Sequence, residues 1–110
     1  MADHQFIQFN KITQMEIELI QTLHPLPNKV NKKISLEKHN RIKTGILAIL
    51  AETEPTHSEL MEALCTSVKD DFVGGVQWYG ETVKLDLEAK QLIERTNTTP
   101  QKYKLTTVKQ

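Results

Sequence analysis

The sequence predicts an α+β domain, mainly helical, in which three short helices are closed by a C-terminal β-hairpin. Three observations carry this. Apolar residues recur at helical spacing in three successive stretches between Ser35 and Gln91. Pro55 and the pair Gly74-Gly75 interrupt them. Near the end, Gln101–Thr106 alternates strictly, with Tyr103 and Leu105 on one face and Lys102 and Lys104 on the other.

Residues 1–14 are polar and of uncertain order. Met15–Ile20 alternates apolar and acidic residues, the period of a half-buried strand, with a short amphipathic helix as the competing reading. His24–Lys29 holds Pro25 and Pro27, which bar a regular helix and favour an extended connector. Ser35 is a good N-cap for a first helix, in which Leu36, Ile42, Ile46, Ile49 and Leu50 form the stripe. This helix stops before Pro55. Thr56-His57-Ser58-Glu59 matches a capping box, in which the Thr hydroxyl accepts from the Glu59 N–H and the Glu carboxylate accepts from the Thr56 N–H. The second helix follows, with Leu60, Met61, Ala63, Leu64 and Val68 as its stripe. Gly74-Gly75 supplies backbone freedom for the turn into a third helix, Val76 to Gln91, lined by Val76, Val83 and Leu87 and extended by Trp78, Leu85 and Ala89. Leu92–Thr96 reads as a strand and Asn97–Pro100 as a turn cluster. Helix, helix, helix, strand, turn, strand is the winged helix-turn-helix plan, with the hairpin as wing. Residues 1–34 are read as a partly ordered N-terminal extension, 35–106 as the winged-helix domain and 107–110 as a tail. The predicted core is Ile46, Ile49, Leu50, Leu60, Leu64, Val83, Leu87, Ile93 and Leu105, with Trp78 as a core plug.

The chain resembles small bacterial proteins grouped as a winged-helix domain of unknown function. The residues carrying this are Leu23-His24-Pro25, Ile46–Leu50, Trp78-Tyr79 with Thr82–Ala89, and Ile93-Glu94-Arg95. The resemblance covers about residues 23–106 and implies a fold but no activity, so it transfers no functional residue. Winged-helix proteins that share the Leu-Ile-Glu-Arg ending usually carry a Gly just before it as a helix cap; this chain has Gln91.

Charge narrows the function classes. With 14 basic and 14 acidic residues the chain is neutral, so neither a strongly basic nor a strongly acidic partner is implied globally. The charges are segregated, however. Lys29–Lys43 carries six bases against Glu37 alone, Glu52–Asp71 six acids against Lys69 alone, and Leu92–Gln110 four bases against Glu94 alone. Such runs are usually solvated faces, but they can also steer a partner. The lone Cys65 permits no disulfide within the chain, and no secretory signal or membrane-length apolar run is apparent, so a cytoplasmic protein is expected.

No catalytic constellation emerges. Cys65 lies in an amphipathic helix and reads as a small buried hydrophobe. His4, His24, His39 and His57 lack ligand spacing, and one Cys cannot complete a zinc site, so no metal, no cofactor and no enzyme activity are expected. Gly74-Gly75 lacks the rest of a phosphate-binding string, and Asp70-Asp71 diverge rather than form an acid/base pair.

Two function classes remain. In the first, the protein is DNA-associated. A recognition helix should offer cations and amides to bases and phosphates. The third helix instead offers Gln77, Tyr79, Glu81, Thr82, Lys84, Asp86, Glu88 and Lys90 as its expected exposed set, with acids outnumbering bases. The candidate nucleic-acid contacts are therefore Arg95, Lys102 and Lys104 on the wing, Lys84 on the third helix, and Arg41 and Lys43 in the basic segment, giving weak binding of low specificity. In the second class, the protein is a non-enzymatic interaction module using the acidic second helix and the third helix. A homodimer fits both, because a single small recognition unit rarely suffices for operator binding.

Overall fold

The computed structural model of the protein describes residues 17–107. Its elements are β1 (Leu19–Gln21), β2 (Lys33–Ser35), α1 (Leu36–Glu52), α2 (His57–Val68), α3 (Val76–Ala89), β3 (Ile93–Arg95) and β4 (Tyr103–Leu105). The class is α+β and mainly helical, with two separate antiparallel strand pairs. The three helices and the terminal hairpin stand where the apolar periodicity put them.

The helix boundaries follow local chemistry. Ser35 Oγ accepts from the Lys38 N–H and starts α1. The capping box closes as its residue types require, with Glu59 N–H donating to Thr56 Oγ1 at 3.2 Å and Thr56 N–H to Glu59 Oε1 at 2.9 Å. Gly74, at φ 128°, makes the turn into α3 that a side chain would strain. At the other end of α3 the chain does without glycine. Gln91 takes the left-handed conformation at φ 61°, Gln91 N–H donates to Glu88 C=O and Leu92 N–H to Leu87 C=O. These two bonds form a Schellman motif with a strained residue at its left-handed position.

The N-terminal hairpin was only half foreseen. β1 falls at the end of the Met15–Ile20 pattern, whose first two residues lie outside the described ones. β2 lies inside the lysine-rich segment, too short to show a period. It pairs with β1 through Leu19↔Ser35, Ile20↔Ile34 and Gln21↔Lys33. Because β2 runs directly into the cap of α1, no break in the chain marks residue 35.

The core is Ile34, Ile42, Ile46, Leu50, Leu60, Met61, Leu64, Val68, Val83, Leu87, Ile93 and Tyr103. Seven of the nine predicted core residues are buried in it, and Ile49 packs against its side. Leu105 is corrected: it is exposed, and Tyr103 is the inward residue of β4. Tyr103 N–H donates to Pro55 C=O, which draws the start of β4 against the helices and leaves its end beyond them. Trp78 is also corrected. It is 49 % exposed, while its neighbour Tyr79 packs on the core and meets it edge-on at 4.9 Å.

Candidate interaction surface on the third helix

Besides its core-facing side, α3 is enclosed on both flanks by polar anchors. On one flank Asp86, fully buried, accepts three hydrogen bonds, each at 2.8 Å: from the Leu23 N–H, from His39 Nε2 of α1 and from Lys90 Nζ. Burial alone would raise the Asp86 carboxyl. The bonds from Lys90, His39 and the Leu23 amide, with the Lys90 charge, overcome it and hold the group below its ordinary value. Beside it, Asn31 Nδ2 donates to the carbonyls of Thr82 and Leu23. The connector between β1 and β2 is thereby fastened along α3.

On the other flank lies Lys84, whose side chain is only 3 % exposed. Its ammonium donates to Tyr103 Oη at 3.0 Å and to His57 Nδ1 at 3.2 Å, and it lies 3.4 Å from Glu81 Oε1. Three polar neighbours for three N–H donors explain how a buried lysine is tolerated here. Lys84 is therefore corrected as a surface contact: it ties α3 to β4 and to the start of α2. Thr82 and Asp86 are corrected likewise, since both are buried.

Of the other candidate cations, Arg95, Lys104 and Arg41 are held in ion pairs. Arg95 Nε bonds both oxygens of Glu88 at 3.1 and 3.2 Å. Partial burial would lower the Arg95 pKa, but Glu88 reverses the effect and raises it. Lys104 pairs with Glu94 at 3.5 Å. Arg41 reaches across to Asp71 at 3.2 Å and to the Ser67 carbonyl, next to the α2–α3 connector. Lys102 and Lys43 are half-buried and have no ion pair among the described residues. Lys38 lies over the rings of Tyr79 and Phe72, at 5.1 and 5.7 Å. A 520 Å³ groove beside it carries Lys38 and Arg41 against Glu37 and Asp71, with no net charge to select an ion.

What α3 leaves open, in whole or in part, is a strip of Gln77, Trp78, Glu81, Leu85 and Ala89. Beside the strip is a 340 Å³ groove floored by Pro25, Leu26 and Leu85, with Glu81, Glu88 and Arg95 among its lining residues. The strip carries no cation. The anchors that shape it were not legible as such, although a signal existed: His39 and Asp86 each stand three residues from a core position, Ile42 and Val83, where a solvated polar residue is out of place. Cys65 is half-buried. Among the described residues, no cluster of His, Cys, Asp and Glu is arranged to hold a metal, and no helix is long and apolar enough to cross a membrane.

Fold and surface together define a small, mainly helical α+β domain built around an anchored third helix. It belongs to a family of unknown function, DUF6958, whose model matches residues 19–103 and so takes in the N-terminal hairpin. No curated protein and no solved structure matches the chain.

Proposed function

We propose that this chain is a winged-helix-type domain, without chemistry of its own, that binds a protein segment along the open strip of α3. The winged-helix reading draws on the hairpin that follows α3 and on the Tyr103 N–H bond to Pro55 C=O. That bond sets the α1–α2 connector beside β4, where winged helices carry a further short strand. The strip carries the functional reading. An exposed Trp78, with Leu85 and Leu26 beside the half-exposed Glu81, is a surface for an apolar residue flanked by a cation. The lone thiol Cys65 agrees with a cytoplasmic setting.

A photocrosslinking residue at Leu85 tests the strip. It should yield an adduct with a protein, and Glu81→Lys should abolish that adduct. A second reading rests on Lys29, Lys32 and Lys33, which are exposed and have no ion pair among the described residues. It predicts weak duplex binding that falls steeply with salt. Retention on duplex DNA that is lost when these three lysines become Glu, with no adduct from Leu85, would replace the first reading by the second.

A further inference from the structure

The first residue of α2 meets α3 in a cluster that shares Glu81 with the open strip. Lys84 Nζ donates to His57 Nδ1 at 3.2 Å, and Glu81 Oε1 lies 3.4 Å from Lys84 Nζ and 3.7 Å from His57 Nδ1. An ammonium has three donors and no lone pair, so the imidazole nitrogen is the acceptor. The bond therefore requires a neutral His57 with its proton on Nε2. In this state the cluster holds one cation and one carboxylate. Lys84 is buried and anchored to Tyr103 Oη of β4 at 3.0 Å. His57 and Glu81 have room to turn, with side chains 46 % and 47 % exposed. The neighbouring charges are engaged elsewhere: Glu59 of α2 accepts from the Thr56 N–H, and Arg95 of β3 is bound to Glu88.

We infer that His57 is a proton-operated latch on Glu81, and through Glu81 on the strip of α3. A proton on Nδ1 ends its role as acceptor and sets an imidazolium 3.2 Å from the Lys84 ammonium. The carboxylate beside it is that of Glu81, so Nδ1 changes from acceptor of Lys84 to donor to Glu81. Closing the 3.7 Å gap to the ~2.8 Å of a charge-assisted bond takes about 1 Å of movement. Lys84 keeps its bond to Tyr103 meanwhile. Glu81 then faces two cations where it faced one, and the charge that the strip offers to a partner's cation is cancelled. Glu88, the other carboxylate of the groove, does not replace it, because its side chain is 8 % exposed and bound by Arg95. His24 also lines the groove, with its Nδ1 accepting from the Leu26 N–H at 3.0 Å, and is the second histidine to be tested. The gating rests on the strip being a binding surface; the latch is a property of the cluster alone.

Nuclear magnetic resonance on the full chain tests the latch without a partner. At about pH 8 His57 should be the Nε2–H tautomer. As the pH is lowered to about 5, the range in which histidine takes up its proton, the Glu81 carboxyl signal should move in step with the His57 ring. His57→Gln supplies a carbonyl to accept from Lys84 and has no proton to gain, so it should abolish that movement while the Tyr103 and Lys84 signals stay in place. A Glu81 signal indifferent to the His57 titration, or one that moves unchanged in His57→Gln, would overturn the inference. The gating is read from a photocrosslinking residue at Leu85 and a short leucine–arginine peptide at limiting concentration. Cancelling one unit charge about 4 Å from a cation in water is worth about fivefold in affinity. The adduct yield should therefore fall about fivefold from about pH 8 to about pH 5, and should not change with pH in His57→Gln. A fall that persists in His57→Gln and disappears in His24→Gln would assign the gating to His24 and overturn it for His57. No adduct at either pH would defeat the strip reading and the gating with it, whereas the latch would still stand or fall on the Glu81 signal.

Discussion

Asp86→Ala should be among the most damaging single changes in the chain, and its cost can be worked from the bonds it removes. Three donors lose their acceptor. Lys90 is partly exposed, so its ammonium turns to water and contributes little. His39 is buried, and the Leu23 amide is tied in beside it, so both are left unpaired in a site with little access to solvent. At about 1–3 kcal/mol for each of the two stranded groups, the loss is about 2–6 kcal/mol, a large part of the ~5–15 kcal/mol that holds a domain together. Asp86→Asn should cost about 1 kcal/mol. Its carbonyl still accepts from Leu23, and its amide donates to His39 Nε2 once the His39 proton moves to Nδ1, where Asn40 Oδ1 lies at 3.4 Å to receive it. Because the native carboxyl is held below its ordinary value of 3.8, the unfolded chain takes up the proton first as pH falls. The stabilisation from Asp86 is thus complete well above that value and is lost as pH drops through the folded value beneath it. Urea denaturation at pH 7 should rank wild type, Asn and Ala in falling order, and the gap between wild type and Asn should narrow in strong acid. An Ala variant within about 0.5 kcal/mol of wild type, the range of an ordinary surface change, would refute this account of the cluster.

Leu87→Ala should cost about 2–5 kcal/mol, as for a buried leucine whose site cannot fully collapse, read as a fall in urea midpoint at unchanged slope. Thr56→Ala opens the capping box and should cost about 0.5–2 kcal/mol by the same measurement. Gln91→Gly should raise stability: a left-handed non-glycine residue costs about 1–2 kcal/mol and glycine returns about 0.5–1 of that as chain entropy, leaving a gain of about 0.5–1 kcal/mol, seen as a higher melting temperature.

Most of the fold was written in short-range signals. Ser35 and Thr56 fix two helix starts, Gly74-Gly75 the turn before α3, and the Tyr103–Leu105 alternation the last strand. Each is decided within a few residues, so the sequence displays it directly. β2 was hidden because three residues set among lysines carry no readable period, and Ile34, its one core residue, is legible only once β1 lies beside it. Leu105 and Trp78 failed for a different reason. Both carry the right character for a core, but which large residue a small core admits is settled by what packs over it, here Tyr103 and Tyr79.

The site was least legible where a polar residue on a helix admits two meanings. Thr82, Lys84 and Asp86 read as the solvent face of a recognition helix, since one chain cannot show that His39, 47 residues away from Asp86, supplies a partner. Burying a charge is tolerable only when its partners are complete. The two buried charged residues of α3 meet that condition, Asp86 with three donors and Lys84 with three polar neighbours. Each ties α3 to a strand pair: Asp86 to the connector of the N-terminal hairpin, Lys84 to the C-terminal hairpin. Two hairpins of two short strands each would be marginal alone, and these polar anchors fasten them to the helices. They also enclose both flanks of α3 and leave the strip of Trp78, Glu81 and Leu85 as its open face. The residues that looked like readers of a ligand are thus spent on assembly, and the binding proposed here would fall to the side chains left between them.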